Sequence, residues 1–198
     1  MGRTSRQSGG RRSKHLFVVA TEGYRTEPIY FESFNPDPGE GSIRFEILNH
    51  RHKNNPSDLL ARLVEFREKK KPGSGADYWM VFDKDEWSSE QLDGFCAAAR
   101  RQKVNIALSN PCFELWLYLH LGDNRPFFTR GEISTALESR LGAYSKDCYD
   151  LDTICRGVED AIRRAKGLDS APAASWPREQ GTWVYRLMEE VQRRSLSS

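Results

Sequence analysis

Three acidic residues stand directly after short apolar runs, a position from which side chains of different strands can share a site. Glu22 follows the run Leu16–Ala20 and Thr21, and Asp83 and Asp85 follow Tyr78–Phe82 as Asp-Lys-Asp. Asn110 comes after Val104–Leu108 in the same manner. None of the four lies inside an apolar run, where a carboxylate would be costly to bury. Carboxylates gathered at one edge repel each other unless they are protonated or bridged by a cation. A hard divalent ion with oxygen ligands relieves that repulsion, and Mg²⁺ (or Mn²⁺) is the expected ion. Two residues apart in an extended segment, Asp83 and Asp85 would point the same way and share one metal region. Glu22 would then ligate the ion or handle protons. Such a centre activates water and stabilises charge on a phosphate during displacement. The plainer alternative is that these acids are solvated loop residues or helix caps. A lone Asp-x-Asp favours that alternative, whereas the matching Glu22-Gly23 turn favours the metal centre.

The acids converge only if the apolar runs are neighbouring strands. Leu16–Ala20, Ile43–Leu48, Tyr78–Phe82 and Val104–Leu108 read as four buried strands. Between them lie helical signals: Pro28 in the first turn of a helix starting near Glu27, Asn55-Pro56 opening a second, and a Ser88/Gln91 capping box opening a third. The second helix carries Leu59, Leu60, Leu63, Val64 and Phe66, and the third buries Leu92, Phe95 and Ala99 at helical spacing. Alternation of this kind predicts an α/β fold, a parallel sheet of about four strands with helices on both faces and right-handed crossovers. In open sheets of that type ligands bind at the carboxyl ends of the strands, where the acids stand. The last third is helical in pattern, with a Thr129/Glu132 capping box, a helix from about Leu151 to Gly167, a Pro/Ala/Ser loop, and a final helix marked by Val184, Leu187, Met188 and Val191. The expected organisation is a basic arm over 1–14, an α/β domain over 15–122, and a helical extension over 123–198 packed on it.

Apolar residues make up 38% and charged residues 29% of the 198, the balance of a polar globular chain. No apolar run approaches the ~20 residues that a membrane-spanning helix needs, and no signal-peptide core follows the start. A cytoplasmic protein with no membrane association is expected. The four cysteines show neither CxxC nor Cys/His zinc spacing and read as buried, reduced thiols. The net charge of +2 does not announce a nucleic-acid binder. Its distribution says more, because Arg3, Arg6, Arg11, Arg12 and Lys14 precede the first acid among Gly and Ser, a composition that predicts disorder. This arm is either a non-specific phosphate-binding tail or a solubilising leader.

Three segments carry a resemblance to a known family. Leu16-Phe-Val-Val-Ala-Thr-Glu-Gly-Tyr-Arg-Thr-Glu-Pro-Ile-Tyr-Phe31, Val81-Phe-Asp-Lys-Asp-Glu86 and Ala107-Leu-Ser-Asn-Pro-Cys-Phe-Glu-Leu-Trp-Leu117 resemble, in order, RloB-like proteins. The Ser-Asn-Pro-Cys-Phe-Glu-Leu-Trp core is the most specific, and the resemblance runs from about residue 14 to the final helix. Those proteins are similar to the TOPRIM domains of topoisomerases, primases and OLD-type nucleases, in which a Glu after the first strand and an Asp-x-Asp after the third form a Mg²⁺ site for phosphodiester chemistry. The resemblance implies that Glu22, Asp83 and Asp85 are the catalytic and metal-binding set. It also implies that Glu27, the second acid of the Glu-Gly-x-x-Thr-Glu pattern, completes a second metal site. A Mg²⁺-dependent nuclease acting on DNA or RNA, tRNA among the candidates, follows, with a place in phage defence beside an ATPase partner. The catalytic Tyr domain of the topoisomerases has no counterpart here, so hydrolysis is expected over strand passage.

Further candidates have two readings each. Glu114 either reaches the metal region or satisfies the N-terminus of the helix after the fourth strand. Asn110 either contacts phosphate or is a turn residue before Pro111. Lys146 and Arg25 are candidates for substrate phosphate, or are solvated loop cations. His50 and His52 share one side of a strand end, a weak zinc signal and more simply a polar edge. Trp116 reads as core. Besides the nuclease, two other readings exist: a non-catalytic subunit that binds nucleic acid or an ATPase, and a phosphatase with Asp83 as nucleophile. Mutually repelling acids retained together argue against the former. The two strand–helix units preceding the Asp-x-Asp argue against the latter.

Overall fold

The computed structural model describes residues 14–49 and 55–196. Four strands, β1 (His15–Thr21), β2 (Ile43–Leu48), β3 (Ala76–Asp83) and β4 (Asn105–Asn110), form a parallel sheet in the order β2-β1-β3-β4. A two-residue strand, β5 (Gly181–Thr182), adds antiparallel to β4, making five. The mixed α/β architecture expected from the alternating pattern is therefore present, with one strand more than the periodicity revealed. Two residues in a polar loop carry no strand periodicity; the Ser109–Thr182 hydroxyl hydrogen bond (2.8 Å) and backbone pairing to β4 define them instead.

Successive strand residues alternate between two cores. Phe17, Val19, Trp79, Val81 and Ala107 face one side, where they meet helix α1 (Thr26–Glu32). Val18, Ala20, Met80, Phe82 and Leu108 face the other, where α2 (Pro56–Lys70) and α3 (Ser89–Arg101) supply Leu59, Leu63, Leu92 and Cys96. Both N-terminal caps were legible. Asn55 accepts the Asp58 N–H (3.0 Å), and Ser88 and Gln91 exchange both bonds of a capping box.

The α1 side also receives α4 (Phe113–Leu121), α5 (Arg130–Leu141), α6 (Leu151–Arg156), α7 (Val158–Leu168) and α8 (Val184–Leu196). From Phe113 to His120 every residue of α4 is buried, so this short helix is the axle of that layer and Trp116 is core. The helix expected from Leu151 to Gly167 is two helices. Gly157 stands between them with φ −90° and ψ 7°, and a Cβ there would stand 2.4 Å from the His120 carbonyl oxygen, which is why the position is glycine. The Pro/Ala/Ser loop is anchored on the other side by buried Trp176, whose indole N–H donates to Asp93 (3.0 Å).

Of the four cysteines, all free, Cys96 and Cys112 are buried as expected, but Cys148 is exposed and Cys155 partly so. Among the described residues no helix is long and apolar enough to cross a membrane. His50, His52 and the arginines of the basic arm lie outside the described residues.

Candidate functional site

The chain leaves β1 for β2 on one side of the sheet and leaves β3 for β4 on the other, so the crossovers diverge between β1 and β3. A doubly wound sheet opens a crevice at the carboxyl ends of two such strands. A pocket of about 370 Å³ there is lined by Glu22, Arg25, Glu27, Asp83, Asp85, Glu114, Arg130 and Lys146, with Gly23, Tyr24, Thr26, Phe113 and Asp147.

The strand ends are tied so that their acids meet. The Glu22 N–H donates to the Val81 carbonyl (2.9 Å), extending the β1–β3 ladder by one bond, and the Glu22 carboxylate accepts the Asp83 N–H (2.9 Å). Asp83 closes β3 opposite Ser109 of β4. Asp85 sits beyond the strand with φ 44°, in the left-handed region that Asp tolerates better than most side chains. The premise that Asp83 and Asp85 lie in one extended segment therefore does not hold. A turn, instead of strand alternation, brings Asp85 to the pocket.

Glu27 is 6% exposed, and its carboxylate accepts the Gly23 N–H (2.9 Å). A Cβ at Gly23 would overlap that carboxylate at 1.9 Å, so it is the present placing of the Glu27 side chain that calls for glycine there. Glu114, in the first turn of α4, accepts from the Tyr144 hydroxyl (3.4 Å) and pairs with Lys146 (3.6 Å). Lys146 is fixed through its carbonyl, which accepts the Thr26 hydroxyl (3.1 Å). Arg25 lies at the rim, paired with Asp147 (3.0 Å) and stacked on Tyr24. Asn110 does not line the pocket. Its amide donates to the carbonyls of Pro177 (3.1 Å) and Arg178 (3.3 Å), a clamp on the loop before β5.

The cation that sequence reading missed is Arg130. Its Nη2 contacts the Asp85 carboxylate, stands 3.6 Å from Asp83, and donates to the Pro111 carbonyl (2.8 Å). One signal was present in the chain: an arginine at the first position of a helix has the wrong sign for the helix dipole, a mild conflict that a partner elsewhere can offset.

Negative charge exceeds positive charge in this pocket, and protonation responds. Burial pushes the Glu22 carboxyl up to about 7, and the nearby Asp85 and Glu27 carboxylates add to the effect against the Asp83 N–H bond. Burial likewise raises Glu27 to about 7, with Glu114 contributing. Asp83 is raised by burial and then by Glu27, Glu114 and Glu22. A divalent cation suits this donor set: oxygen ligands only, crowded, and short of positive charge. The carboxylates are turned toward Arg130 and backbone N–H groups, and among the described residues no three of them stand in a ready ligating geometry. These acids could hold an ion only after side-chain rotation. A family model described as RloB-like protein matches residues 17–191 of the chain. No curated protein and no solved structure matches it.

Proposed function

The chain belongs to the RloB-like protein family, and from that premise we propose that it is a nuclease dependent on Mg²⁺ or Mn²⁺, hydrolysing phosphodiester bonds of DNA or RNA. The observation that carries the proposal is the meeting of Glu22, just past β1, with Asp83 at the end of β3 and Asp85 in the turn after it, in one pocket at the divergence of the crossovers. A likeness to TOPRIM-type sites is part of the same proposal.

In this reading Asp83 and Asp85 would hold the ion, with Glu22 and Glu27 beside them. When bound, the ion supplies an activated water and neutralises charge on the phosphate. Glu22, beside the ion in this reading, would be placed to exchange a proton with that water as a general acid–base. Lys146 and Arg25 line the same pocket and offer positive charge to the phosphate. Glu114 and Tyr144 orient Lys146. The family resemblance extends the proposal to phage defence beside an ATPase partner.

The test is cleavage of supercoiled plasmid, single-stranded DNA and total tRNA with Mg²⁺, Mn²⁺ or EDTA, by wild type and by Asp83→Asn/Asp85→Asn. Metal-dependent cleavage by wild type, lost in the variant, is the expected result. Undiminished cleavage by a folded double variant would overturn the assignment.

A further inference from the structure

Arg130 stands at a helix start, where its charge runs against the local helix; Arg25, the N-cap of α1, does the same at the rim but pairs with Asp147. Arg130 is the first residue of α5, whose start is fixed by Thr129 Oγ1 accepting the Glu132 N–H (3.2 Å) and by Glu132 accepting the Phe128 N–H (3.0 Å). That end of a helix repels cations, yet the guanidinium is held between Asp85 and Asp83 and braced by the Pro111 carbonyl. A single nitrogen, Nη2, makes all three contacts. With a side chain 44% exposed, Arg130 lies at the solvent edge of the pocket, so it can leave without disturbing the core.

We infer that Arg130 is the site's built-in counter-ion: it neutralises Asp83 and Asp85 in the metal-free protein, competes with the divalent ion for the same oxygens, and on release contacts the substrate phosphate. The inference rests on the metal-dependent reading above. A divalent ion on Asp83 and Asp85 would stand within a few ångströms of the guanidinium, and two cations at that separation repel strongly where solvent is limited. The metal and Arg130 therefore exclude each other from these oxygens. Released from them, Arg130 stays tethered to the start of α5 beside the pocket. There a planar guanidinium suits a phosphate, which it binds through paired N–H donors.

The experiment is a Mn²⁺ titration by calorimetry on the full chain, with Arg130→Gln, Arg130→Lys and Asp83→Asn, and melting temperatures measured in EDTA and in Mn²⁺. Arg130→Gln should bind Mn²⁺ at least about fivefold tighter, within the usual range for coupled ligands. It should melt below wild type in EDTA and regain that difference with Mn²⁺, and it should show a raised KM for cleavage. Arg130→Lys keeps the charge and should bind Mn²⁺ with nearly wild-type affinity, which provides the comparison if the glutamine variant folds poorly. Equal or weaker Mn²⁺ affinity in Arg130→Gln, with binding still lost in Asp83→Asn, overturns the inference and leaves the metal site standing. Absence of Mn²⁺ binding in wild type and in both Arg130 variants overturns the metal reading, and the inference with it.

Discussion

At the scale of single residues, the pocket stores a protonation equilibrium. Glu27 is buried, accepts the Gly23 N–H, and has a carboxyl raised to about 7. A carboxyl raised on folding binds its proton more tightly in the native state than in the unfolded chain. Its contribution to stability is therefore complete below the unfolded pKa and is lost as pH rises through about 7. Buried His120, lowered to about 4 by burial, acts in the opposite direction below the ordinary histidine range, so wild type alone does not isolate the carboxyl. Glu27→Gln does, because its amide oxygen can still accept the Gly23 N–H. In EDTA, the melting temperature of Glu27→Gln relative to wild type should rise between pH 6 and pH 8; a flat difference would remove Glu27 from the titrating set. Gly23→Ala tests the same loop sterically. The 1.9 Å overlap forces the Glu27 carboxylate away, and Mn²⁺ affinity should fall while the chain remains folded by circular dichroism.

At the scale of elements, α4 is the part on which others are positioned. It carries Glu114 into the pocket at its start and buries His120 at its end, where Nδ1 meets the Ile154 carbonyl (2.6 Å). At the break between α6 and α7 the chain passes α4 with Gly157 against the His120 carbonyl. Gly157→Ala must displace backbone, at a cost of about 1–3 kcal/mol as for other overpacked sites. For a chain of this length each kcal/mol lowers Tm by roughly 2–4 °C, which scanning calorimetry will measure. An unchanged Tm would mean that the helix pair adjusts freely. By contrast, Ser88→Ala removes a cap remote from α4 and should cost about 1 kcal/mol.

At the scale of the molecule, the helical third and the sheet share one core. Phe17, Val19 and Trp79 of the sheet belong to the same buried cluster as Leu187, Met188 and Val191 of α8. Arg130 and Lys146, both beyond residue 122, complete the pocket. A fragment ending at residue 122 should therefore lack cooperative thermal unfolding; a sharp transition in that fragment would show the α/β part to be independent. On the proposed nuclease reading, removing residues 1–13 should weaken nucleic-acid binding and flatten its salt dependence. Each lost phosphate contact lowers the log–log slope by roughly 0.9 on B-DNA, and an unchanged slope would return the arm to a solubilising role.

What the sequence determined by itself was what short-range chemistry encodes. Apolar runs marked β1 to β4, Asn55 and Ser88 marked helix starts, and strand-terminal acids marked Glu22, Asp83 and Asp85 as a group. Each of those signals lies within a few residues of the feature it specifies. The features it left open depend on partners far along the chain. β5 exists only because Ser109 and Thr182 meet across 73 residues. Asn110 serves as a clamp, and not as a pocket residue, because the loop at Pro177 and Arg178 returns to it. Asp85 reaches the pocket through a left-handed turn that strand alternation does not predict. Arg130 neutralises acids 45 or more residues away. Charge balance in a pocket is a sum over everything that folding brings there, so only the tertiary structure decided which cation stands on the acids.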